Sequence, residues 1–172
     1  MNTPAATDTL DPQTLALARE SFQLARQGDA EHLRQLLDAG LPVNLTNEEG
    51  NTLLMLAAHA GREEAAQLLL SRGADPTRAN DRGQTPLAGA AFKGDGRMVE
   101  LLLEGGAPVD GSGRDGRTAL MYAAMFDRLE VLELLLSRGA SPTHTDAGGA
   151  SALDAARMMG AARTAARLEA QA

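Results

Sequence analysis

The chain has 172 residues, a net charge of −7, no cysteine, and only three phenylalanines and one tyrosine as aromatic residues. Disulfide frameworks and thiolate metal sites are excluded, and the acidic balance disfavours the phosphate-neutralising contacts that carry most nucleic-acid affinity. No apolar run approaches the roughly 18 residues that a membrane span needs, so the expectation is a soluble, cytoplasmic protein that binds neither nucleic acid nor membrane.

Residues 1–14 carry no basic stretch ahead of a hydrophobic run, so they read as a flexible tail rather than a secretory signal. From residue 15 onward a period of 33 residues organises the chain. One glycine series falls at Gly50, Gly83, Gly116 and Gly149, and a second at Gly40, Gly73, Gly106 and Gly139. Such a period marks a supersecondary unit that cannot bury its own apolar face and stacks on its neighbours. The first unit, 15–46, is predicted as an N-terminal cap, a helix pair over Leu15 to Val43 that lacks the starting turn of the others. The period places its Phe22 on Met55 and its Leu36 on Leu69.

Three full repeats follow, at 47–79, 80–112 and 113–145. Their turns lead into Gly50-Asn51-Thr52-Leu53, Gly83-Gln84-Thr85-Pro86-Leu87 and Gly116-Arg117-Thr118-Ala119-Leu120, and Gly149-Ala150-Ser151-Ala152-Leu153 opens a C-terminal cap at 146–172. Each Thr or Ser can accept an orphan N–H of the first helical turn, and Pro86 fits a slot where no N–H is needed. The first helices carry Leu56-Ala57-Ala58, Ala90-Ala91 and Ala123-Ala124, small enough for close packing. They stop at Gly61, Gly94, Asp127 and Gly160, residue types that tolerate left-handed backbone. The second helices carry Leu68-Leu69-Leu70, Leu101-Leu102-Leu103 and Leu134-Leu135-Leu136 as the inter-repeat core. The C-terminal cap is rich in alanine and arginine and is expected to fray most readily, with Arg157, Arg163 and Arg167 as solvated helix surface.

These units resemble the ankyrin-repeat family, with its Gly-x-Thr-Pro-Leu start and Leu-Leu-x-x-Gly-Ala end, most fully from Gly83-Gln84-Thr85-Pro86-Leu87 to Gly106-Ala107. The resemblance covers about residues 15–170. It implies an all-α solenoid of stacked antiparallel helix pairs joined by β-turn hairpin loops, about five repeats including caps. The chain departs from the family at the histidine that commonly follows Pro-Leu, where Met55, Ala88, Met121 and Asp154 stand. It also looks like small stand-alone bacterial ankyrin proteins, some of which accompany catalases, and that likeness implies a role in stress protection.

Patterns that would carry chemistry are weak. Gly111-Ser112-Gly113-Arg114-Asp115-Gly116 spells G-x-G-x-x-G, but a dinucleotide site needs a leading strand, and here a helix precedes it. His32, His59 and His144 fall at unrelated repeat positions without ligand spacing, and no serine lies in a nucleophile-elbow setting. No catalytic residue, metal or cofactor is expected.

In ankyrin stacks, as the resemblance implies, partners are held by the turn tips and by the ends of the first helices. The tips carry Glu48, Glu49 and Asn51, then Asp81, Arg82 and Gln84, then Arg114, Asp115 and Arg117, passing from acidic to more basic. The helix ends carry His59-Ala60, Phe92-Lys93, Met125-Phe126 and Met158-Met159. Two of the three phenylalanines thus fall where the family leaves room for a partner, although the same rings would also fit between repeats as core. Tyr122 and Met121 are expected in the core. The resulting expectation is a monomeric, non-enzymatic adaptor for another protein. The alternatives are a small-molecule or catalytic groove and a self-associating structural unit.

Overall fold

A computed structural model describes residues 12–171, in which ten helices form five consecutive pairs. The pairs are α1 (Pro12–Gln27) with α2 (Ala30–Asp38), α3 (Leu53–His59) with α4 (Glu63–Ser71), α5 (Pro86–Lys93) with α6 (Gly96–Glu104), α7 (Ala119–Met125) with α8 (Leu129–Ser137), and α9 (Ala152–Met159) with α10 (Ala162–Glu169). Odd-numbered helices pack on one another in chain order, even-numbered helices form a second row, and each pair is closed by its own mutual contact. No strand occurs among the described residues. Isolated antiparallel bridges, Thr46 to Thr52, Ser112 to Thr118 and Thr145 to Ser151, narrow three of the four turns. Helix α1 begins at Pro12, so residues 12–14 are helical rather than part of a tail. The tail expected over residues 1–11 lies outside the described residues.

The eight ladder glycines all have φ between +72° and +99°, which explains why the period is written in glycine. Thr52, Thr85 and Thr118 accept the N–H of Met55, Ala88 and Met121 at 3.1, 3.2 and 3.4 Å. The helix starts therefore hold without the family's histidine. At the fourth start Ser151 and Asp154 exchange hydrogen bonds as a capping box.

Leu69, Leu102 and Leu135, the middle leucines of the three triplets, are fully buried, while Leu70, Leu101, Leu103, Leu134 and Leu136 are partly buried against the same core. Leu36 is only half-buried, since among the described residues α2 has a second-row neighbour, α4, on one side alone. Met121 and Tyr122 are buried, as expected.

The second helices are secured in three ways. Asp29 and Asp95 cap α2 and α6 by accepting the N–H of His32 and Met98. Helices α4 and α8 have no such cap. Instead Arg62 and Arg128 each reach back one repeat, donating Nε–H to the carbonyls of Arg26 and Phe92 at 3.0 Å. Helix α10 is capped from the neighbouring repeat: Asp127, at φ +54° where the other first helices stop at glycine, accepts the N–H of Thr164 at 3.0 Å.

The last pair is thus more firmly tied than its composition predicts. Thr164 Oγ1 donates to the Ala124 carbonyl at 2.8 Å. Arg163 pairs with Asp127 at 2.8 Å, Arg167 pairs with Glu133 through two N–H donors, and Arg157 pairs with Glu169 at 2.7 Å. Arg157 and Arg163 are exposed, as expected of solvated helix surface, and Arg167 is half-buried, but each also holds an acidic partner. Exposed ion pairs contribute about 0–1 kcal/mol each, so it is the buried Thr164 bond and the shared cap that set this repeat in place. The Arg163 guanidinium, and after it the Thr164 N–H, hold the Asp127 carboxyl below its usual range. This contribution is complete above the ordinary aspartate range and is lost as pH falls through the lowered value.

Candidate functional site

The turns are built by short polar side chains that bind their own backbone. Asn47 Oδ1 accepts the N–H of Glu49 and Asn51, Asn80 Oδ1 accepts those of Arg82 and Gln84, and Asp146 Oδ1 accepts those of Gly148 and Ala150. The third position of this series is Gly113, and there Asp115 takes over by accepting the N–H of Arg117. Neighbouring turns are joined through backbone, Asp81 N–H to the Glu49 carbonyl at 3.1 Å and Ala147 N–H to the Asp115 carbonyl at 2.9 Å. The first turn is thereby joined to the second and the third to the fourth, while the second and third meet where Gly113 lies against Gly83.

Along the tips Glu48, Glu49, Asp81, Arg82 and Arg114 are exposed, while Gln84, Asp115 and Arg117 are half-buried. Arg117 Nε lies 3.5 Å from Asp146 and 4.0 Å from Asp115, bridging two turns. Asn51 is a correction to the sequence reading. It is only 6 % exposed, donates to Glu49 at 2.8 Å and accepts from Asn80 at 2.9 Å, so it ties turn to turn and offers nothing to a partner.

The G-x-G-x-x-G run also proves structural. A Cβ on Gly113 would stand 1.9 Å from the Gly83 carbonyl oxygen, so this glycine exists to let one turn lie on the next.

The ends of the odd-numbered helices complete the face. His59, Phe92, Met125 and Met158 occupy one repeat position, and Ala60, Lys93, Phe126 and Met159 the next. Phe92 and Phe126 meet edge to face with ring centroids 4.5 Å apart. Phe92 is 39 % exposed, whereas Phe126 is half-buried and leans on the core. Phe126 thus packs on the core and holds the ring of Phe92 at the surface. Lys93 is exposed beside it. Met125, Met158 and Met159 share a crevice of about 40 Å³ with Met121, Arg117 and Asp146, so turn tips and helix ends line one surface.

His59 is half-buried, and burial first, with Lys93 second, lowers its pKa from the ordinary histidine value. Its ring lies against the α-carbon of Gly89, since a Cβ built there would fall 2.1 Å from His59 Nε2. Gly89 is a residue that sequence reasoning missed. The available signal was a glycine inside a helix, where the adjacent repeats have Leu56 and Tyr122, at a cost of about 1 kcal/mol relative to alanine. Gly89→Ala is expected to push the ring outward and raise the His59 pKa toward its ordinary value, as read by NMR titration of the imidazole. An unchanged titration would show that the ring does not depend on the glycine. Because the folded value is lowered, the unfolded chain takes the proton first on acidification. The native ring therefore costs stability once pH falls through the ordinary histidine range, and the alanine variant should lose that cost.

The other histidines lie apart: His32 Nδ1 is 2.6 Å from Asp29, and His144 Nε2 is 3.2 Å from the Gly116 carbonyl. Among the described residues no three His, Cys, Asp or Glu side chains are grouped to hold a metal ion. A roomier crevice of about 310 Å³ lies between Pro142, Thr143, Ser151, Leu153, Leu168 and Gln171, and among the described residues no titratable side chain lines it. No described helix is long and apolar enough to cross a membrane.

Helix pairs at a step of 33, glycine-hinged turns and a face of turn tips and helix ends define an ankyrin-repeat solenoid. A family model for ankyrin repeats in three copies matches residues 73–146, and one for ankyrin repeats in many copies matches residues 36–90. The chain belongs to the ankyrin-repeat family. It is similar to a Pseudomonas aeruginosa protein named as an ankyrin repeat protein, with 52 % identity over 58 residues, which make up 34 % of each chain. The match thus spans about a third of that relative's length. Ankyrin repeats are generally protein–protein interaction modules, and the family is typically non-enzymatic.

Proposed function

We propose that this chain is a non-enzymatic, cytoplasmic adaptor that acts as a monomer and holds another protein on its concave face. The observation that carries this reading is the apolar stripe of Phe92, Phe126, Met125, Met158 and Met159. It is laid out on the binding positions of an otherwise aromatic-poor chain, with Phe92 39 %, Met158 78 % and Met159 51 % exposed. Aromatic and methionine side chains give a docking surface large apolar area and adaptable packing. His59, Lys93 and the tip residues Glu48, Glu49, Asp81, Arg82, Gln84, Arg114, Asp115 and Arg117 supply the polar surround, graded from acidic to basic. The likeness to small bacterial ankyrin proteins, some of which accompany catalases, supports a place in stress protection.

Affinity capture from the native cell tests the proposal. One stoichiometric protein should be retained by the parent chain and lost by the Phe92→Ala, Phe126→Ala double variant. Because Phe126 leans on the core, Phe92→Ala alone serves as the control that leaves the melting temperature nearly unchanged while weakening capture. Capture that survives both variants would sink the stripe as the docking surface, and turnover of a metabolite would overturn the adaptor reading altogether. A small-molecule groove is less well supported, since the crevice on this face is about 40 Å³ against roughly 300–1,000 Å³ for ligand pockets.

A further inference from the structure

The six methionines of the described residues fall into two groups of three. Met55, Met98 and Met121 are 0 %, 0 % and 1 % exposed and belong to the packed interior. Met125 is half-buried, Met159 is 51 % exposed and Met158 is 78 % exposed, and these three gather around one crevice at the C-terminal end of the docking face. The clustering follows from the repeat: Met125 and Met158 hold the same position one step of 33 apart, and Met159 follows its neighbour along α9.

We propose that the thioethers of Met125, Met158 and Met159 form a single peroxide-sensitive modification site, whose conversion to sulfoxide makes the C-terminal part of this face polar while the stack stays folded. The oxidant is hydrogen peroxide. One oxygen passes to the sulfur as the O–O bond breaks and the S–O bond forms. The thioether loses two electrons, and the departing hydroxide takes the remaining proton and leaves as water. Sulfoxidation turns a flexible apolar side chain into a polar one and is reversible by methionine sulfoxide reductases, which need access to the residue.

Two features fit the local structure to this change. The exposed tips of Met158 and Met159 can take an oxygen without displacing packed neighbours. Arg117 lines the same crevice; its Nε–H donates to Asp146 at 3.5 Å, and a guanidinium carries further N–H donors that can turn to a sulfoxide oxygen. The reach of this site into partner capture rests on the docking role proposed above. The chemistry does not, and the test reads the chemistry alone.

The folded full chain is treated with hydrogen peroxide, each methionine is followed by peptide mapping over time, and melting is recorded at each stage. Met158 and Met159 are expected to oxidise roughly tenfold or more faster than Met55, Met98 and Met121, which become accessible only through local opening. Met125 should fall between the two groups, with the melting temperature nearly unchanged until the slow group reacts. Met158→Leu, Met159→Leu should abolish the fast phase and leave the slow one, and sulfoxide reductase should return the fast group to its original mass. Oxidation of all six at one rate would overturn the proposal. So would loss of folding on modification of the fast group, or reaction of Met125 only at the rate of the interior methionines.

Discussion

Leu102→Ala is expected to lower stability by about 2–5 kcal/mol, the range found when a buried leucine leaves a cavity behind. Leu102 is fully buried in α6, the second helix of the central pair, and α6 packs between α4 and α8. Its loss therefore weakens two interfaces. In a stack each repeat touches only its neighbours, so stability is close to a sum of repeat and interface contributions. A gap at the centre should partly uncouple the two ends, and urea denaturation followed by circular dichroism should broaden or split into two steps. A single sharp transition at nearly the parent midpoint would mean that α4 and α8 close over the space. Leu36→Ala, at the equivalent but half-buried position of the first repeat, should cost clearly less.

Gly113→Ala is expected to cost about 1–3 kcal/mol or more, the penalty for forcing extra volume into a packed contact. Its Cβ would lie 1.9, 2.4 and 2.5 Å from the carbonyl oxygen, carbonyl carbon and α-carbon of Gly83, and backbone cannot swing aside as a side-chain tip can. Gly113 is not among the residues with positive φ, so the expected loss is steric rather than conformational. Thermal melting measures it, and Gly148→Ala is the comparison, since a Cβ there meets nothing closer than the Asp146 carboxylate at 3.3 Å. Equal melting temperatures for the two variants would show that the third turn can lift off the second.

The fold was legible because its rules are local and repeated. Positive φ at the ladder glycines, a hydroxyl before each first helix from α3 onward and a leucine triplet in each full repeat recur at a fixed step, and each has one physical meaning wherever it occurs. The face was legible in outline for the same reason, since the period assigns Phe92, Met125 and Met158 to one position without any knowledge of contacts. What the sequence does not reveal depends on pairs of residues about one repeat apart. Asn51 resembles a tip residue by register, yet it is buried because Asn80 of the next turn reaches back to it. The sequence already excludes Gly113 from a nucleotide loop, but only Gly83 lying against it shows why the residue is glycine. His59 reads from the sequence as a contact residue, and only the structure places Gly89 beneath its ring. Arginines in the last repeat are surface charge by sequence and, for Arg163, by exposure, but their partners Asp127 and Glu133 come into view only across the junction. Periodicity fixes the position of each residue within its own unit, but these contacts are made between units and differ from one junction to the next.

The borrowed cap of α10 bears on how the chain is assembled as it is made. Helices α2 and α6 carry their own aspartate, so each can begin wherever its own residues are free. Helix α10 takes its cap from Asp127, in the preceding repeat and held at φ +54°. The partner that starts α10 is therefore set in place only once α7 has ended and turned toward α8. A ribosome releases the chain in that order, N-terminal repeats first. The final repeat thus emerges onto a template already built, and its closure reports that the unit before it has folded.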